Sequence, residues 1–120
     1  MKFQTDAHEQ RYHEILARMK NQDAYHKSAA YLMALADMIP DDVFDFTGNF
    51  IKYEGISAAW QTSSSRRATR LMFNLWNGWA HDEEFVERLT PSTEYAVDKI
   101  FCDYEYAPYF YEAVKIRFEW

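Results

Sequence analysis

Tyr12, Ile15, Leu16 and Met19 recur three and four residues apart, the spacing that lines side chains along one face of an α-helix. This stripe predicts a first helix over 6–20, opened by Asp6-x-x-Glu9 as a capping box. Asn21 and Asp23 interrupt the pattern and restart it. A second helix follows over 23–38, with Tyr25, Ala29, Leu32, Met33 and Ala36 on one face and Pro40 beyond its end. So short a connection implies an antiparallel helical hairpin.

From Asp41 to Ile56 the period changes. Apolar residues flank Thr47-Gly48-Asn49, a turn signal that predicts a small β-hairpin or an ordered loop packed on the helices. A third helix over 64–77 directs Ala68, Leu71, Met72, Leu75 and Trp76 inward and stops at Asn77-Gly78. His81-Asp82-Glu83-Glu84-Phe85-Val86-Glu87-Arg88-Leu89 reads as a short helix or loop, and Thr90-Pro91 as a restart. Pro108 opens a last helix in which Tyr109, Phe110, Ala113, Val114 and Ile116 face the core, while Tyr111 and Phe118 point away. The expected fold is α+β and mostly α. One compact domain over 1–120 holds four to five helices, with the hairpin between helices two and three.

Composition narrows the class. Of the 120 residues 48% are hydrophobic and 18% aromatic, too apolar for a disordered chain. So many rings leave some for the surface, where they serve as contact area. A net charge of −6 is the opposite of a phosphate-binding balance, so direct nucleic-acid binding is not expected and attraction to basic partners is. Cys102 is the single cysteine, and the opening residues carry no apolar signal core. No apolar run approaches a membrane span, and the expected location is cytoplasmic.

Within this acidic chain, Gln61-Thr62-Ser63-Ser64-Ser65-Arg66-Arg67-Ala68-Thr69-Arg70 places four hydroxyls ahead of three arginines. A helix N-terminus attracts anions, so Ser63, Ser64, Ser65, Arg66, Arg67 and Arg70 are candidate anion ligands. A phosphate-cradling loop needs glycines, and none lies between Gly55 and Gly78. At about 100° per residue the arginines fall opposite the apolar positions. Ordinary capping with a solvated basic face is therefore the favoured reading.

Metal and catalytic readings are weaker. His8 and His13 project about 140° apart on a helix and cannot share an ion. His8 and His26 open antiparallel helices and stand at opposite ends. No metal-ligand spacing appears, so no metal or other cofactor is expected; His8, His26, His81 and Cys102 are the first ligands to test. Cys102 sits beside Asp103, which disfavours a thiolate, and no serine lies in a Gly-x-Ser-x-Gly turn. Enzymatic chemistry is not expected.

The C-terminal third is rich in tyrosine interleaved with acid. Tyr104, Tyr106 and Tyr111 with Asp103 and Glu105 form the candidate partner-binding surface, suited to a basic protein. The alternative is that the rings roof the core; a homodimer through the same aromatics is a third reading.

Two blocks, Trp60 to Gly78 and Tyr106 to Phe118, resemble an uncharacterised small-protein family of low-GC Gram-positive bacteria, their mobile elements and prophages. The chain departs from it at its Phe118-Glu119-Trp120 end, where relatives are expected to carry proline. The resemblance brings no catalytic residues. It implies, by analogy with small acidic proteins of mobile elements, a non-enzymatic inhibitor of host defence. Such an inhibitor, anti-CRISPR-like, would occupy the basic surface of a nucleic-acid effector such as a CRISPR effector.

Overall fold

The computed structural model describes residues 1–82 and 92–120. In chain order it contains α1 (Asp6–Arg18), α2 (Ala24–Ala34), β1 (Phe44–Asp45), β2 (Phe50–Ile51), α3 (Ser63–Asn77), α4 (Val97–Ile100) and α5 (Ala107–Phe118), joined partly by short 3-10 turns. The domain is α+β and mostly α, with five helices among the described residues and one two-stranded antiparallel hairpin between α2 and α3. The acidic run from Glu83 and the Thr90-Pro91 restart lie outside those residues.

Helix α2 is the hub, packed by α1, α3 and α5. Its run from Ser28 to Leu35 is buried without interruption, which a helix surrounded by neighbours requires. Tyr25, placed by periodicity on the inner face, is instead exposed near the start of that helix. The expected stripe of α1 is buried throughout, from Tyr12 to Met19.

Capping explains two shifted boundaries. Thr5, one residue before the expected cap, accepts the His8 amide at 3.0 Å and opens α1 in place of Asp6. Asp23 caps α2 at His26 N as its sequence position implies. The second helix ends at Ala34 rather than residue 38, because Ala36 and Asp37 turn left-handed at φ 53°. Non-glycine residues hold that conformation only where their surroundings fix it. Here Arg11 fixes it, donating to the carbonyls of Met33 at 2.6 Å and Ile39 at 2.7 Å on either side of the bend.

The hairpin pairs Phe44 with Ile51 and Asp45 with Phe50. Asp45 Oδ1 accepts the amides of Thr47 and Gly48, and Asn49 takes the left-handed position at φ 66°. Phe44 and Ile51 enter the core against the helices, which a ribbon this small needs for stability. At the far end of α3, Gly78 closes the helix at φ 78°, a backbone state that glycine adopts without strain.

Candidate functional site

The start of α3 spends most of its hydroxyls on the fold. Thr62 Oγ1 accepts the Ser65 amide at 3.1 Å, and Ser65 Oγ accepts the Thr62 amide at 2.7 Å, a reciprocal capping box. Ser65 is buried, and its hydroxyl also donates to Gln61 Oε1. Ser64 donates to Asp103 Oδ2 at 2.6 Å. Of the three serines named as anion ligands, Ser63 faces the open cleft described below.

The arginine face is half-buried and in part paired with carboxylates, so it is less solvated than the helical wheel implies. Arg67 Nη1 pairs with Asp103 Oδ2 at 3.1 Å. Arg70 sets its Nε and Nη2 on the two oxygens of Asp82 at 3.2 and 2.9 Å, with Glu94 at 3.8 Å from Nη1, and keeps 12% of its side chain exposed. Arg66 Nε reaches the Ile56 carbonyl at 3.4 Å. The helical wheel placed these residues correctly opposite the core. It has no knowledge of the chain beyond Gly78, which folds back and supplies carboxylates from Asp82, Glu94 and Asp103.

Between α3 and this returning chain lies a cleft of about 390 Å³, lined by Ser63, Arg66, Arg67, Arg70, Glu94, Lys99 and Cys102. Among the described residues four of its seven lining side chains are cationic and one is acidic. Counting Asp82 and Asp103, the partners of Arg70 and Arg67, the charge of these described residues remains positive. Lys99 and Cys102 reach the cleft from α4 and the residues after it, about thirty positions from the arginines, so no local spacing announced them.

Asp103 is placed differently from its expected role. It is buried, and besides Ser64 and Arg67 it faces the Tyr106 amide at 3.4 Å. Burial would raise its carboxyl, but the bonds from Ser64, the Tyr106 amide and Arg67 outweigh that and hold it below the ordinary carboxylate range. Its carboxylate thus anchors the loop through these contacts. The next residue, Tyr104, is 98% exposed, and Glu105 beside it is exposed too. Tyr106 is half-buried and stacks on Phe110 with ring centroids 6.5 Å apart. Tyr111 stands exposed on the outer face of α5, with the Lys115 ammonium 5.8 Å from its ring.

A protein-family model matches the whole chain, residues 1–120. The chain belongs to DUF6075, a family of unknown function. No curated protein and no solved structure matches it.

In this DUF6075 member the candidate metal ligands have separate local partners. His8 is buried, receives the Gln4 amide at Nδ1 (3.1 Å) and sets Nε2 on the Tyr31 carbonyl (2.9 Å). His26 lies between Asp23 at 2.7 Å and Asn49 at 2.8 Å, edge-on to Trp76. His81 is buried beside Trp79, and the exposed Cys102 points its thiol at the Lys99 carbonyl. Among the described residues no three His, Cys, Asp or Glu side chains gather as a metal site, and no helix is long and apolar enough to cross a membrane.

Proposed function

We propose that this protein is a binding module that recognises a basic surface on another protein through Tyr104, Glu105 and Tyr111. The observation that carries the reading is the wholly exposed Tyr104 ring on a loop whose preceding residue, Asp103, is pinned from three sides. A loop already ordered loses little entropy on docking, and tyrosine adds a large rigid contact area with a hydrogen-bonding tip. The net charge of −6 supplies long-range attraction to a basic partner. Direct nucleic-acid contact forms no part of this reading. The resemblance of the Trp60–Gly78 and Tyr106–Phe118 blocks to proteins of mobile elements supports one kind of partner. That partner is a nucleic-acid effector of host defence, a CRISPR effector among them, whose nucleic-acid groove is basic.

Surface binding to immobilised effectors tests this. Tyr104→Ala leaves the fold intact, because its ring touches solvent, and speeds dissociation by about tenfold or more if the ring is a hot spot. Added salt slows association more than it speeds dissociation, since steering is screened beyond about 8 Å at physiological ionic strength. A folded Tyr104→Ala, Tyr111→Ala double variant with undiminished affinity removes this surface as the recognition site.

A further inference from the structure

The cleft along α3 carries an inference independent of the Tyr104 loop. We propose that it is a binding site for a compact oxyanion with at least two negative charges, a phosphate compound or a small polycarboxylate.

Three observations support the assignment. First, cations converge there from two separate elements, Arg66, Arg67 and Arg70 from α3 and Lys99 from α4, in a chain whose net charge is −6. Charge of one sign gathered in a concave site focuses its field on a ligand of the other. Second, the donors are held but not exhausted. A guanidinium offers five N–H groups in a planar fork, and Arg67 spends one nitrogen on Asp103 while Asp82 takes one edge of Arg70. Among the described residues, neither Arg66 nor Lys99 forms an ion pair, and Arg66 makes a single long contact to a carbonyl. The carboxylates thus orient two forks, while Arg66, which also attracts Asp82 at longer range, and Lys99 form no ion pair among the described residues.

Third, the shape and lining select the ligand. A volume of about 390 Å³ is at the small end for ligand sites, and none of the seven lining side chains among the described residues is aromatic. The Tyr95 ring lies 6.0 Å from the Arg70 guanidinium, outside the lining, whereas a small polyanion finds donors on several sides. Glu94, which also lines the cleft 3.8 Å from Arg70 Nη1, repels negative charge placed beside it and so limits the room for a large anion.

Calorimetric titration of the full chain with pyrophosphate and, separately, with citrate, each at constant ionic strength against a chloride control, tests the proposal and separates the two chemistries. One-site saturable binding of at least one of them is expected. Lys99→Ala and Arg66→Ala should each weaken it about tenfold, the effect of losing one ionic contact worth about 1.4 kcal/mol, while Lys99→Arg retains it. The lone thiol offers a second readout in unaltered protein. Cys102 lines the same cleft, so the bound oxyanion should slow its alkylation and saturate at the same concentration. Tyr104→Ala should bind the oxyanion as the parent does, so that failure of the recognition loop and failure of the cleft are told apart. No saturation by about 10 mM of either anion, or binding unchanged in Lys99→Ala, overturns the site.

Discussion

At the α1–α2 interface His8 and Arg11 reach across to backbone carbonyls at the end of α2, whereas on α3 Arg67 and Arg70 reach carboxylates on the chain that returns over them. Both regions take polar side chains out of water, but their partners differ in kind. A helix end leaves four carbonyls without intrahelical donors, and packing α1 against α2 would strand some of them. His8 and Arg11, three residues apart on one face of α1, supply those donors from the neighbouring helix. The α3 pairs join charge to charge at a margin that stays partly wet, and they leave a cleft between them. Polar burial in the first region completes the backbone. In the second it positions a surface.

The largest effect should come from breaking the first arrangement. Arg11→Met keeps the aliphatic stem but strands the Met33 and Ile39 carbonyls and releases Asp37, while Asp41 keeps only Arg18. A loss of about 2–4 kcal/mol is expected by chemical denaturation, since each unsatisfied buried carbonyl costs roughly 1–3 kcal/mol. A loss under about 1 kcal/mol would mean that water replaces the guanidinium without penalty and that the two regions do not differ.

His8 sharpens the same contrast through pH. The Gln4 amide donates to Nδ1, so the ring is neutral with its proton on Nε2, facing the Tyr31 carbonyl. Burial pushes its pKa below 6.5, the Tyr31 bond opposes that shift, and Arg11 adds to it. The unfolded state then binds more protons below pH 6.5, so the contribution is full above that value and fades as pH falls beneath it. His8→Leu should lower stability at pH 7 by about 1–3 kcal/mol, for the orphaned Tyr31 carbonyl, and flatten the decline between pH 7 and 5. An unchanged decline would assign the acid sensitivity to other groups.

How far the sequence discloses each region follows from the range of the interactions. Local signals were readable: the α1 stripe, the restart at Asp23, a hydroxyl cap within Thr62 to Ser65, the turn at Thr47-Gly48-Asn49 and the stop at Gly78 all act within a few residues. Of their failures one is a local competition and the other is tertiary. Thr5 displaced Asp6 because a threonine hydroxyl at that position meets the His8 amide, and α2 stopped early because Arg11, from another helix, stabilised the bend. The site was legible as a list of residue types but not as an arrangement. Asp103 and Arg67 were both singled out, for different surfaces, and their 3.1 Å contact merges the two. No periodicity links positions 36 residues apart. Lys99 carried no signal at all.

The α3 cap gives a smaller effect. Thr62→Ala removes one half of the capping box and should lower stability by about 1 kcal/mol, the usual value of an N-cap. Ser63→Ala, at a cleft-facing hydroxyl outside the box, should fall within about 0.5 kcal/mol of the parent. Equal losses from the two would show that hydroxyls here are interchangeable and that the box is not what starts the helix.

The last effect, modest on stability but the one that bears most on function, belongs to Asp103→Asn. Aspartate accepts from Ser64 and Arg67 on Oδ2 and faces the Tyr106 amide with Oδ1, so asparagine, with one oxygen, keeps one of these two sides and surrenders the charge that faces Arg67. Because Arg67 remains partly in water, the loss at pH 7 should be about 0.5–1 kcal/mol, in the range of a partly exposed pair. The sign with pH is the same as that of His8, because folding lowers both pKa values, but the window lies at lower pH. A carboxyl held below its ordinary 3.8 contributes in full above that value and loses the contribution as pH falls through the depressed pKa, so the parent alone should show this acid limb. Releasing Arg67 also adds a positive charge to the cleft, so the variant should bind pyrophosphate or citrate more tightly while Tyr104 sits on a looser loop. Tighter oxyanion binding together with weaker partner binding would place the two surfaces on either side of one ion pair. A variant unchanged in both would show that Asp103 separates nothing.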